Sequence, residues 1–190
     1  MNHSANEVQG VPNGAGKGVH PTDGVREALA VTLRGCDELI PQDDWVKKLT
    51  KSEQSGVPLR IKLGLDPTAP DIHIGHTVVL NKMRQLQDLG HQVIFLIGDF
   101  TSLIGDPSGR NSTRPPLTTE QIKANAETYY RQASLVLDPA KTEIRYNSEW
   151  SLPLGSMGMI QLAAKYTVAR MMERNDFHDR FKAGTPISVH

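Results

Sequence analysis

Apolar residues recur along the chain with two different periods, and their order predicts alternating strands and helices. An apolar run from Leu59 to Leu65 is typical of a buried strand, and a second run extends from His91 to Ile97. Gly90 is expected to end a helix between the two runs. The order strand, helix, strand is a βαβ unit, which predicts parallel strands joined by a right-handed crossover. The apolar face of the predicted helix consists of Ile74, Val78, Leu80, Met83, Leu86 and Leu89.

Further elements are predicted on both sides of this unit. Helices are expected from Val25 to Arg34 and from Pro41 to about Ser55. After the second strand we expect a long loop, Phe100 to Pro116, because this segment is dense in Gly, Pro, Ser and Thr. A helix from Thr118 to Leu137 and a third parallel strand from Thr142 to Tyr146 should follow.

Local signals mark the start of that helix and the last part of the chain. Thr118 and Gln121 have the spacing of a capping box. Three short helices are expected over residues 156–165, 168–174 and 176–182. The methionines in this part, which we interpret as packing residues, are Met157, Met159, Met171 and Met172.

The segment that joins the first strand to its helix carries the strongest candidate chemistry. His73 and His76 flank Gly75 at the expected start of the helix. In a parallel sheet the carboxyl ends of the strands and the N-termini of the helices form the ligand crevice, where backbone N–H groups favour an anion. Imidazole N–H groups can donate to phosphate oxygens, and a glycine lets a ligand approach the backbone. The alternative is that the histidines only cap the helix.

The loop after the second strand is the second candidate. Asp106 can accept hydrogen bonds from an ammonium group, while the planar guanidinium groups of Arg110 and Arg114 suit phosphate oxygens. The alternative is a solvated surface loop in which Asp106 forms a turn before Pro107.

Both segments resemble one known family. His73-Ile74-Gly75-His76 resembles the signature of class I aminoacyl-tRNA synthetases, and Gly64 to Ala69 resembles the bacterial tyrosyl enzymes. Gly98 to Thr101, followed by Leu103 to Arg110 and Arg114, is similar to the second signature of the tyrosyl enzymes. The similarity runs from about residue 34 to residue 190. It implies an α/β fold, a Rossmann-like parallel sheet with flanking helices, that is incomplete at its C-terminus.

The resemblance also implies an activity. Enzymes of this family activate tyrosine with ATP and Mg²⁺, release pyrophosphate, and transfer the tyrosyl group to the terminal adenosine of tRNA(Tyr); a homodimer is implied as well. His73 and His76 would be the catalytic residues. The implied ATP-binding residues are Asp66, Pro67, Thr68, His73, Gly75, His76, Arg110 and Arg114, and the implied tyrosine-binding residues are Gly64, Thr101 and Asp106.

One position departs from many tyrosyl enzymes. Lys62 stands where they carry the tyrosine that meets the substrate phenol, although a second bacterial branch does resemble Arg60 to Gly64. The residues that recognise the phenol are therefore not identified in this part of the sequence.

Composition limits the partners and the compartment. The 190 residues have a formal net charge of zero, so an RNA partner would need a local basic patch rather than a global positive field. Cys36 is the only cysteine, which excludes an intrachain disulfide and suits a reducing cytosol. The sequence has no apolar run of membrane-spanning length and no signal-peptide pattern, so we expect a cytoplasmic protein without a membrane partner.

The expected organisation is a disordered tail (residues 1–23), N-terminal helices (24–58) and the first part of a nucleotide-binding catalytic domain (59–190). Two other functions stay open. One is a stand-alone adenylyltransferase with the same histidine signature, and the other is a non-catalytic module that binds nucleotide or RNA. A zinc site at His73 and His76 is the rival metal site, but it needs further ligands, so no metal ligand is assigned.

Overall fold

The computed structural model describes residues 21–104 and 117–187. The chain divides into two compact units, residues 1–55 and 56–190. The expected disordered tail lies outside the described residues as far as residue 20.

The first unit contains two helices, α1 (Asp23–Leu33) and α2 (Gln42–Ser55), which confirms both predicted helices. The Thr22 hydroxyl accepts a hydrogen bond from the Val25 N–H at 3.2 Å and so caps α1. Gly35 follows α1 with a φ of 75°, a left-handed conformation that favours glycine and ends the helix. The indole N–H of Trp45 donates to the Thr32 hydroxyl at 3.2 Å and joins the two helices.

The second unit is built on a parallel sheet of three strands, which confirms the predicted α/β class. The strands are β1 (Arg60–Leu65), β2 (Gln92–Ile97) and β3 (Thr142–Tyr146), in the spatial order β1-β2-β3. Strand β2 is therefore central. Its register places Gln92 opposite Arg60 and Val93 opposite Thr142.

Helices connect the strands and follow the last of them. Helix α3 (His76–Asp88) joins β1 to β2, while α4 (Asp99–Ile104) and α5 (Thr119–Ala133) join β2 to β3. Both halves of the Thr118–Gln121 capping box are present, as predicted. A short 3-10 turn, Pro139–Lys141, leads into β3. After β3 come α6 (Ser148–Ser151), a second 3-10 turn (Leu152–Leu154), α7 (Gly155–Ala163), α8 (Val168–Met171) and α9 (Asn175–Lys182).

The core of the second unit lies between the sheet and the helices α3 and α5. Alternate residues of β2 point into it because strand side chains alternate between faces. The core residues are Leu80, Met83, Val93, Phe95, Ile97, Ala126, Tyr129, Ala133 and Leu137. Tyr129 is therefore a packing residue.

Three sequence predictions were wrong in part. Ile74 and Val78 are exposed, because the buried side of α3 begins only at Leu80. Residues 100–104, expected in the loop, belong to the helix α4, while residues 105–116 lie outside the described residues. Helix α5 ends at residue 133 rather than 137 because the chain turns there, with Leu137 still packed in the core.

The three predicted short helices after β3 are present, and Met171 and Met172 are partly buried, but the other two methionines are exposed. Met157 and Met159 are 66% and 39% exposed, so the prediction that they are packing residues was wrong. The reason is that α7 lies on the surface and buries none of its side chains. Among the described helices none is long and apolar enough to cross a membrane.

Candidate functional site

The three strands end side by side, and polar residues follow each of them. The Gly98 N–H donates to the Leu65 carbonyl at 2.9 Å, and the Asn147 N–H donates to the Ile97 carbonyl at 3.0 Å. These bonds continue the sheet ladder by one residue. They place Asp66, Asp99 and Asn147 at the carboxyl edge of the sheet, where ligands bind in open parallel sheets.

A hydrogen-bond chain links the ends of the three strands. The Thr101 hydroxyl donates to Asp66 Oδ1 at 2.7 Å and accepts from Asn147 Nδ2 at 2.9 Å, while Asn147 Oδ1 accepts from the Phe100 N–H at 2.8 Å. Since a hydroxyl has one proton, Thr101 uses its donor within the protein. Gly98 lies beneath this series of hydrogen bonds. A Cβ atom there would be 1.8 Å from Asp66 Oδ1 and 2.5 Å from Thr101 Oγ1, so any other residue would displace these two side chains.

Asp99 fixes the chain where it leaves β3. Its carboxylate accepts from the Ser148 N–H at 3.0 Å and from the Ser148 hydroxyl at 2.6 Å. Burial, followed by the negative charge of Asp99, raises the pKa of Tyr146 above its ordinary value.

The two histidines lie against each other at the start of α3. Their ring centroids are 4.2 Å apart. The backbone N–H of His73 donates to His76 Nδ1 at 3.2 Å, and the backbone N–H of Gly75 donates to His73 Nδ1 at 3.1 Å. Because Nδ1 is the acceptor in both rings, the proton of each neutral imidazole is on Nε2. The histidines thus cap backbone N–H groups through Nδ1, as the capping interpretation requires, and this leaves Nε2 of each ring available as a donor.

Gly75 allows the first histidine to take this position. A Cβ atom on Gly75 would lie 2.9 Å from His73 Cε1 and would push the ring away. The second histidine is half-buried, and its ring meets the edge of Tyr129 with the centroids 6.4 Å apart. His73 is exposed at the surface.

Helix α5 contacts the segment between β1 and α3 at two places. Asn125 Nδ2 donates to the Pro67 carbonyl at 3.0 Å. Gln132 Nε2 donates to Asp71 Oδ1 at 2.6 Å, and Gln132 Oε1 accepts from the Ile72 N–H at 2.9 Å. Sequence reasoning missed these two amides. Their signal is a pair of polar residues on the buried face of α5.

Asn147 and Asp99 also bear on the site, and sequence reasoning gave neither of them a role. Asn147 directly follows β3, and Asp99 is separated from the end of β2 by Gly98 alone. A polar residue at that place is the signal that could have found them.

The other predicted site residues are placed differently or not described. Asp106, Arg110 and Arg114 lie outside the described residues. Gly64 lies within β1, where an added Cβ would make only ordinary contacts, 3.7 Å to Leu96 and 3.8 Å to Lys62 Nζ. Its position therefore imposes no steric need for glycine.

The remaining predicted residues form the turn after β1. The Thr68 N–H donates to the Asp66 carbonyl at 2.8 Å, and Pro67 is buried beneath the turn. Over residues 21–104 and 117–187, no three His, Cys, Asp or Glu side chains come together as a metal site requires. The rival zinc site at the two histidines is therefore not formed by these residues.

A parallel sheet whose carboxyl edge carries paired histidines at a helix start defines a nucleotide-binding domain of the class I synthetase type. The family model described as tRNA synthetases class I (W and Y) matches residues 53–190. The chain belongs to this family, which confirms the resemblance seen in the sequence.

Relatives of known name are similar over most of this chain. The chain is 80% identical over 169 residues to the tyrosine–tRNA ligase of Cupriavidus pinatubonensis, a match that covers 89% of this chain and 41% of that protein. It is 75% identical over 169 residues to the tyrosine–tRNA ligase of Bordetella pertussis, with the same coverage. The chain thus spans about two fifths of the length of the curated relatives it matches.

Solved structures have the same fold. A C-terminally truncated mitochondrial tyrosyl-tRNA synthetase of Coccidioides posadasii matches with a TM-score of 0.65 at 20% identity, over 87% of this chain and 47% of that one. The corresponding Aspergillus nidulans protein matches with a TM-score of 0.63 at 22% identity, over 78% of this chain and 44% of that one. At these identities the likeness concerns the fold alone.

Proposed function

We propose that this chain is the ATP-binding part of a tyrosine–tRNA ligase. The complete reaction joins tyrosine to ATP, forming tyrosyl-adenylate and pyrophosphate, and then transfers the tyrosyl group to the 3'-terminal adenosine of tRNA(Tyr). The family membership and the tyrosine–tRNA ligases that are 75–80% identical support this proposal. The observation that carries it is the pair of histidines at the start of α3 whose Nδ1 atoms both accept backbone N–H groups, which leaves Nε2 of each ring as the donor.

The first step needs charge stabilisation more than it needs a protein nucleophile. A carboxylate oxygen of tyrosine attacks the α-phosphorus of ATP, and pyrophosphate leaves with the electrons of the broken P–O bond. Negative charge increases on the phosphate oxygens in the transition state, where preorganised donors are most effective. His73 and His76 supply such donors through Nε2, because their Nδ1 atoms already accept backbone N–H groups.

The other residues bind and position the substrates. Gly75 leaves room for the adenosine beside α3, and the turn at Asp66, Pro67 and Thr68 lies next to the phosphates. In the second step a ribose hydroxyl of the tRNA attacks the carbonyl carbon of the adenylate, and AMP leaves. Mg²⁺ arrives with ATP as part of the substrate, since it prefers phosphate oxygens and water as ligands.

The roles proposed for the loop after β2 and for the tyrosine site rest on the sequence. Asp106 and Thr101 would hold the tyrosine ammonium group, with Gly64 near the tyrosine, while Arg110 and Arg114 would hold the departing pyrophosphate. The Thr101 hydroxyl donates to Asp66 in this structure, so it would receive the ammonium group as an acceptor. We further propose a homodimer in the cytoplasm and the division into tail, N-terminal helices and catalytic domain at residues 23 and 58.

A chimera tests the proposal. The matched segment of the Cupriavidus pinatubonensis relative is replaced by this chain, and tyrosine-dependent ATP–pyrophosphate exchange is measured with and without His76→Ala. Removing one preorganised donor of this kind typically costs about a hundredfold to a thousandfold in rate. We expect a loss in that range with tyrosine affinity nearly unchanged. A loss below about tenfold would refute the role of His76.

A further inference from the structure

Helix α5 presents three residues of one face to the segment that carries the histidines. Asn125, Tyr129 and Gln132 are four and three residues apart, so they lie on the same side of the helix. Asn125 and Gln132 are two turns apart, about 10 Å along the axis. They contact the segment near its start and near its end, and Tyr129 meets the His76 ring between them.

The segment depends on side chains for its shape. Residues 66–75 contain neither helix nor strand, so no regular backbone ladder fixes them. Asn125 holds the Pro67 carbonyl, and both of these residues are buried. Gln132 binds the segment twice, once at the Asp71 carboxylate and once at the Ile72 N–H. A bond to a charged carboxylate is stronger than one between neutral groups, so Gln132 is the firmer of the two contacts.

The double contact of Gln132 lies directly before the first histidine. The Ile72 side chain packs against the core, and its N–H is held by Gln132 Oε1 at 2.9 Å. The next N–H along the chain, that of His73, donates to His76 Nδ1. The orientation of the backbone at residue 72 therefore sets the ring orientation at residue 76.

We propose that Asn125 and Gln132 are positioning residues, which hold residues 66–75 so that both Nε2–H groups of the histidines point at the same ligand. The inference deepens the proposed function and rests on it for the identity of that ligand. The amides themselves touch the segment rather than the ligand. They act indirectly, by fixing the orientation of the His73 and His76 rings relative to each other.

A swap of chemical groups tests Gln132. Gln132→Glu replaces the Nε2 donor, which lies 2.6 Å from Asp71 Oδ1, with a carboxylate oxygen, so this contact is lost. The new carboxylate could accept from the Ile72 N–H only by staying beside Asp71, so the repulsion weakens that contact as well. Adding Asp71→Asn restores them, because the new amide at position 71 can donate to the new carboxylate at position 132. In Asp71→Asn alone, the amide oxygen at position 71 can still accept from Gln132 Nε2, so this single variant should keep both contacts. The matched control is Gln161→Glu on α7, which makes the same chemical change on another helix.

The first readout uses the chain without ligand. Losing a hydrogen bond of this kind corresponds to about a tenfold change in local opening. We expect Gln132→Glu to raise the hydrogen-exchange rate of the Ile72 amide about tenfold and to mix the tautomers of the two rings, as seen in their ¹⁵N shifts. The double variant should return to within about twofold of the original rate, and Gln161→Glu should not differ from it. The Phe95 amide in β2 reports the stability of the sheet in every variant.

The second readout adds Mg-ATP and follows the histidine ring signals. We expect Gln132→Glu to weaken binding about tenfold and the double variant to recover it. An unchanged Ile72 exchange rate with unchanged tautomers in Gln132→Glu would overturn the inference. So would an equal rise in exchange at Phe95, since the glutamine would then act on folding as a whole. If the original chain shows no ring response to Mg-ATP, the proposed function fails, while the positioning by Gln132 is still decided by the first readout.

Discussion

Replacing Gly98 with alanine should loosen the sheet-bearing unit through a steric clash. The added Cβ would lie 1.8 Å from Asp66 Oδ1 and 2.5 Å from Thr101 Oγ1, far inside contact distance. Gly98 is buried and does not have a positive φ, so the backbone itself accepts alanine. The clash can be relieved only by moving the Asp66 carboxylate and breaking its bond to Thr101.

The size of the effect follows from two opposing terms. Overpacking a tight site costs about 1–3 kcal/mol. Losing the flexibility of glycine in the unfolded chain returns about 0.4–1 kcal/mol. We therefore expect a net destabilisation of about 1–2 kcal/mol, which corresponds to roughly 5- to 30-fold faster exchange of the Phe95 amide in the central strand.

Gly64→Ala is the matched control for this prediction. Its Cβ would meet Leu96 and Lys62 only at 3.7 and 3.8 Å, which is ordinary contact. Since glycine is unfavourable in a strand interior, this variant should be as stable as the original chain or slightly more stable. A Gly98→Ala chain whose Phe95 amide exchanges no faster than that of Gly64→Ala would refute the reasoning.

Three further predictions concern stability. Thr118→Ala removes the capping box of α5 and should cost about 1 kcal/mol in urea denaturation, whereas Thr118→Ser should cost much less. Gln87→Met should cost about 1–3 kcal/mol in the same assay, because Gln87 is fully buried and its side-chain amide, which donates to the Asp138 and Lys141 carbonyls, would be lost. Burial lowers the pKa of His91 below its ordinary value of 6.5, so the unfolded chain takes up a proton at this side chain more readily than the folded chain does. The free energy of unfolding should therefore decrease as the pH is lowered from 7.5 to 5.5. His91→Gln should make this decrease smaller.

Local signals explain what could be predicted from the sequence. The strands, the capping box at Thr118 and the helix end at Gly90, which has a φ of 91°, all depend on residues close together in the chain. The histidine segment was found for the same reason, because its residues lie between a strand and a helix of clear periodicity. Val78 was assigned wrongly because periodicity does not tell where along a helix the contact with the sheet begins.

Contacts between distant parts of the chain explain what was missed. The amide of Gln132 binds Ile72, which is 60 residues earlier, and Asn147 binds Thr101, which is 46 residues earlier. Such pairs depend on the packing of α5 and on the order of the strands. A single sequence carries their residue types but not their proximity.

Amino-acid-dependent ATP–pyrophosphate exchange by the chimera with the Cupriavidus pinatubonensis relative tests the central claim most directly. Each amino acid is supplied in turn, and folding is checked by circular dichroism. We expect exchange with tyrosine alone, and its loss in His76→Ala. A folded chimera that exchanges with a different amino acid, or that does not exchange with tyrosine, would contradict the account.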